Sequence, residues 1–158
     1  MKRNLVLLTL SAALLLLSLS ACGSGAPRVD WELRVTGAVS DPLTLSYQDL
    51  ARRDMVTLED VVMSRSQGED TINTWEGPAV APILEEAGIS ASATAVLCTA
   101  SDGYAREMTR ADLEEAIIAV KMDGEWIASG DNGPIRIVVP NKPGNFWLYE
   151  LVEMEVVE

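Results

Sequence analysis

Histidine is absent from the 158 residues, and cysteine occurs only twice, at Cys22 and Cys98. The first absence removes the commonest metal ligand and the commonest general base together. The scarcity of cysteine excludes a zinc-type cluster and, if Cys22 carries lipid, leaves Cys98 without a disulfide partner. Cations are few as well, with 12 Lys and Arg against 24 Asp and Glu. Such a surface repels nucleic acid and anionic headgroups, so nucleic acid is excluded as a partner. The acidic balance serves solubility, or favours cationic ligands or a basic partner. No phosphate-cradling glycine loop or nucleophile triad is present, and the paired acids Glu85-Glu86 and Glu114-Glu115 read as solvated helix faces.

Lys2 and Arg3 precede an apolar run, Leu5 to Leu19, that is short for a membrane span, and Leu19-Ser20-Ala21-Cys22 follows. This run resembles a bacterial lipobox. Residues 1–21 are therefore expected to be a lipoprotein signal peptide, Cys22 the lipid-attachment residue, and 22–29 a flexible tether. Removing residues 1–21 takes away two cations and no acid, so ten cations face 24 acids and the mature charge is −14. Contact with the membrane is then expected through the lipid, on the extracytoplasmic side. Residues 30–158 suffice for one domain with its own core.

That domain is organised around the run from Ala95 to Leu113. Val96, Cys98 and Ala100 alternate with Leu97 and Thr99 in a mostly apolar stretch, which predicts a strand buried on both faces. Ser101-Asp102-Gly103 supplies a turn, Tyr104 to Met108 returns, and Thr109 with Asp112 predicts a capping box opening a short helix. Upstream, Trp31 to Val39 alternates as a strand, Leu43 to Leu45 is extended, and Ser46 with Asp49 starts another helix. Met55 to Ser64 and Thr71 to Trp75 read as a hairpin, with a bulge or a bend at Glu59-Asp60. Val80, Ile83, Leu84 and Ala87 recur at helical spacing before Gly88. Ala116 to Met122, Glu125 to Ile127, Ile135 to Val139 and Leu148 to Val157 complete the strands. The pattern predicts an α+β domain on a mixed or antiparallel sheet.

The order of several segments resembles the molybdopterin-binding domain of the sulfite oxidase type, in its compact stand-alone bacterial form. They are Trp31 to Gly37, Leu43 to Leu50, Trp75-Glu76-Gly77-Pro78 leading into Ile83 to Gly88, Ser101-Asp102-Gly103-Tyr104, and Gly133 to Pro140. The resemblance covers nearly the whole mature chain. It implies the sulfite-oxidase-like fold and a molybdopterin cofactor, with molybdenum held by a cysteine thiolate after the strand that precedes Trp75. Here that strand runs Val61-Val62-Met63-Ser64-Arg65, so Met63 or Ser64 stands nearest and neither is a thiolate. The histidine and many of the basic residues that hold the pterin phosphate in full-length members are missing too. No metal site is therefore assigned, and molybdopterin is the only cofactor that the resemblance implies.

Cys98, with nothing cationic or basic beside it, reads as a buried core thiol. Asp102 and Tyr104 stand at a turn where this family places cofactor-facing loops, or else serve as a turn aspartate and a packed tyrosine. Arg65, Arg106, Arg136 and Lys142 are the cations nearest the loops. Clustered, they would receive a small anionic ligand; singly, they are solvated or ion-paired surface residues. Trp75 joins them as a candidate ligand-binding residue, although Trp75, Trp126, Phe146 and Trp147 are ordinarily core or rim rings, with Trp147 expected to be partly exposed. The chain is thus expected to be a membrane-anchored lipoprotein acting as a non-catalytic binding or redox-accessory module, beside a membrane redox partner. The alternative is a small molybdopterin-dependent oxidoreductase in which Ser64 or Cys98 serves as ligand. A third reading is a structural lipoprotein that meets a basic protein through its acidic face. Cys22→Ser is expected to abolish acyl incorporation, as measured by labelled fatty-acid uptake and intact mass.

Overall fold

The computed structural model describes residues 25–131 and 133–158, so the expected signal peptide and Cys22 lie outside the described residues. The chain opens with β1 (Glu32–Gly37), β2 (Leu43–Ser46) and α1 (Tyr47–Arg52), then β3 (Val56–Met63), β4 (Thr71–Gly77) and α2 (Val80–Glu86). β5 (Ala95–Ala100), β6 (Ala105–Thr109), α3 (Arg110–Leu113), β7 (Ile117–Ala119), β8 (Lys121–Met122) and β9 (Glu125–Trp126) follow. β10 (Arg136–Val138), a 3-10 turn (Gly144–Phe146) and β11 (Leu151–Val157) complete it.

The main sheet has the order β2-β1-β11-β5-β6. β11, last in sequence, lies in its centre, parallel to β1 and antiparallel to β5, which makes the sheet mixed. Smaller sheets, β3-β4-β8-β9 and β10-β7, carry the rest. The α+β class expected from the sequence is the class found.

Strand alternation decides what is buried. Leu33 and Val35 on β1, Val96 and Cys98 on β5, and Met154 and Val156 on β11 are all buried, while Glu32, Arg34 and Glu155 face water. Each such aliphatic side chain contributes about 1.5–3 kcal/mol by leaving water. β5 is fully buried on one face only, not on both. Leu97 and Thr99 are half-buried because their cross-strand neighbours on that face include Glu107, Glu153 and Glu155.

Local signals form as predicted. Ser46 and Thr109 accept from the amides of Asp49 and Asp112, whose carboxylates accept from the cap amides in return. Gly88 takes φ +67 just after α2. The register of β3 on β4 shifts between Leu58 and Val61, where Asp60 has φ +49, so the irregularity expected there is a bulge. Two spans differ. Ala116 to Met122 divides between sheets, because Ile117–Ala119 pair with β10 while Val120 donates to the Glu76 carbonyl and Lys121 pairs with β4. The last strand begins at Leu151 rather than Leu148, because Glu150 at φ +51 breaks the extended run.

Cys98 is fully buried, and burial pushes its thiol up from 9.0 to about 12. Thiol reagents are therefore expected to spare Cys98 in the folded protein and to modify it in denaturant. A folded value above the unfolded one means that its contribution to stability is intact below 9.0 and lost as pH rises toward about 12. Denaturation midpoints followed across that window should fall more for the wild type than for Cys98→Ala.

Candidate functional site

Met63 closes β3, and the hairpin loop after it is held by Asp70. That carboxylate accepts from the Arg65 amide at 2.9 Å and from the Ser64 hydroxyl at 3.3 Å. The loop that follows β10 folds back onto this point, where the Gly144 amide donates to the Ser64 carbonyl at 2.8 Å. A Cβ on Gly144 would stand 2.9 Å from Met63 Cγ, so only glycine lets the two segments approach this closely.

Arg136 lies beneath that contact on β10, a strand buried along its whole length. At 7% exposure it is the one charged side chain buried among the described residues, not the surface cation that its charge alone predicts. Its Nε donates to the Trp147 carbonyl at 3.2 Å, its Nη2 contacts Met63 Sδ at 3.2 Å, and its guanidinium sits 5.4 Å from the centre of the Trp75 ring. Desolvation first, and the neighbouring Arg65 second, lower its pKa to about 10, with Tyr149 opposing. It therefore remains a cation at neutral pH. Holding a charge away from water costs several kcal/mol unless polar partners or an anion offset it.

Two cavities share Arg136, Gly144 and Asn145 as walls. One, of about 260 Å³, is completed by residues including Asp102, Tyr104, Trp147 and Tyr149. The other, of about 310 Å³, is completed by Met63, Arg65, Ser66 and Gln67. Between them the Asn145 carbonyl accepts from the Tyr104 hydroxyl at 3.0 Å and from Arg106 Nε at 3.3 Å. Arg106 also stacks on the Tyr104 ring at 4.8 Å, which stiffens this strap from outside.

Of the candidate residues, Arg65, Asp102, Tyr104 and Arg136 line these cavities, and Arg106 props the strap. Trp75 is buried behind Arg136, edge-on to Trp147 at 6.2 Å, with its indole N–H lacking an acceptor among the described residues. Lys142 stands apart, its ammonium 2.8 Å from the Asp112 carboxylate, which that contact helps to hold below the usual carboxylate range. Trp147 is 2% exposed rather than partly open, because its ring packs on Trp75 and its N–H donates to the Lys142 carbonyl at 3.0 Å. Tyr149 and Asn145 escape sequence reading. Tyr149 falls within the span expected as strand, and Asn145 acts through a backbone carbonyl that any residue supplies.

The donor set does not fit a thiolate-held metal. The sulfur at the end of β3 is the Met63 thioether, already against Arg136, and the Ser64 hydroxyl is tied to Asp70. Cys98 is enclosed within β5 and is not a wall of either cavity. Among the described residues no group of three or more His, Cys, Asp or Glu converges as a metal site. What the cleft offers is positive charge from Arg136 and Arg65, which suits an anion, with the Asp102 carboxylate opposing it in the first cavity.

Residues 24–158 match the family described as oxidoreductase molybdopterin binding domain. An uncharacterized oxidoreductase, YuiH of Bacillus subtilis (strain 168), is 26% identical over 113 residues, covering 70% of this chain and 57% of that protein. The sulfane dehydrogenase SoxCD from Paracoccus pantotrophus aligns with a TM-score of 0.71 at 21% identity, over 84% of this chain and 40% of that one. At that identity the likeness speaks for the fold alone, and this chain spans little more than half of the first protein and less than half of the second. The motif order, the sheet topology and a family match over residues 24–158 agree, and the chain belongs to the oxidoreductase molybdopterin-binding domain family.

Proposed function

We propose that this protein is an extracytoplasmic lipoprotein, tethered through Cys22, whose molybdopterin-binding fold serves as a non-catalytic binding or redox-accessory module for a small anionic ligand. The observation that carries this reading is the buried Arg136 cation at the junction of two cavities, with a thioether and a serine where the family's pattern calls for a thiolate. A buried cation draws strongly on an anion entering the cavity beside it, because attraction strengthens as the local dielectric falls. Arg65, exposed at the second cavity, adds charge at its mouth. Asp102 opposes this only partly, since its carboxylate already accepts from the Tyr104 amide at 2.8 Å. Anchoring is supported by the run Leu19-Ser20-Ala21-Cys22. A redox setting is supported by the family match and by the similar protein described as an oxidoreductase.

Full-length protein matured in a host that makes molybdopterin is expected to contain molybdenum far below one atom per chain by elemental analysis. One atom per chain would sink the non-catalytic reading and make this a small molybdopterin-dependent oxidoreductase. Native mass spectrometry of the same preparation is expected to show a retained anionic small molecule. Arg65→Glu should lose that molecule with a change in stability within about 0.5 kcal/mol, since the substituted side chain is on the surface.

A further inference from the structure

A second recess, of about 610 Å³, shares no wall with the Arg136 cavities. It runs along Val56, Thr57, Leu58 and Glu59 of β3, four consecutive residues, so it follows the backbone edge of the strand rather than one face. β3 pairs with β4 on one side, and among the described residues no strand pairs with its other edge. Its unpaired amides and carbonyls are a ready template for an added strand. Glu114 to Ile117 also line the recess, with Val61, Ala79 and Pro140, so most of its lining is aliphatic.

Charge chooses the occupant. Glu59, Glu114 and Glu115 line the recess and are exposed, and no Lys or Arg lines it. Arg52 and Arg53, beyond its Val56 end, are already paired with Asp49 and Glu86, and Lys142 with Asp112, whereas Arg110 shares a neighbouring cavity with Glu114. A second copy of this chain would bring together two recesses that are each lined by Glu59, Glu114 and Glu115, and like-charge repulsion opposes that. The Asp60 bulge interrupts the open edge, so pairing is confined to the segment before it.

We propose that this groove takes an extended, lysine- or arginine-bearing segment of a partner protein, which adds as a strand to the free edge of β3 while its cations meet Glu59 and Glu114. Main-chain hydrogen bonds supply the affinity, and the acidic walls supply the choice of partner.

The test uses full-length protein in neutral detergent and a fluorescent peptide of alternating lysine and valine, followed by anisotropy at low salt. Binding is expected for this peptide and not for its glutamate-valine counterpart. Methylating alternate backbone nitrogens of the peptide keeps every charge but removes strand pairing, and should weaken binding about tenfold. The double variant Glu59→Lys/Glu114→Lys should weaken it by a similar factor, whereas the control Glu69→Lys/Glu107→Lys, with the same net charge and acids outside the groove, should retain most of it. No binding overturns the proposal. So does equal binding of the methylated peptide, or an equal loss in the control, since either means attraction to net charge alone. Sedimentation that reveals a dimer dispersed by Glu59→Lys/Glu114→Lys would assign the groove to a second copy and also overturn it.

Discussion

A guanidinium held out of water is the constraint on which one end of this molecule is built. Arg136 stays buried beside the Trp147 carbonyl, the Met63 sulfur and the face of the Trp75 ring, which come from three separate parts of the chain. Satisfying it forces the loop after β10 back across the end of β3. That return fixes Gly144 against Met63 and sets the Asn145 carbonyl between two cavities. The cleft is a consequence of housing one charge.

The rest of the fold supplies rigidity. β11 at the centre of the main sheet joins the two ends of the domain, so the β5–β6 hairpin that carries Asp102 and Tyr104 is tied directly to the final strand. Tyr104 and Arg106 then reach the Asn145 strap from that hairpin. The strap is thus held by the main sheet on one side and by the end of β3 on the other, through the Gly144 amide and the Ser64 carbonyl.

Much of this architecture was legible in the chain itself. The capping pairs Ser46–Asp49 and Thr109–Asp112, the irregularity at Asp60 and the turn at Ser101-Asp102-Gly103 all formed where local chemistry placed them. The site was less legible. Lys142 looked as available as Arg65 but is matched to Asp112, and Trp147 looked like a rim residue but fills the space beside Trp75. Tyr149 sat inside a plausible strand until a positive φ at Glu150 took it out of register. For Lys142 and Trp147 the deciding partner lay many residues away.

The sequence by itself determined the elements, their order, the family, and the lack of a thiolate at the end of β3. Caps, turns, alternation and residue identity need nothing beyond a few neighbours along the chain. Packing settled that Arg136 is buried, that Met63 faces it, and that Cys98 lines neither cavity. Whether a charge can leave water depends on which distant groups arrive to replace that water, and packing alone brings them together.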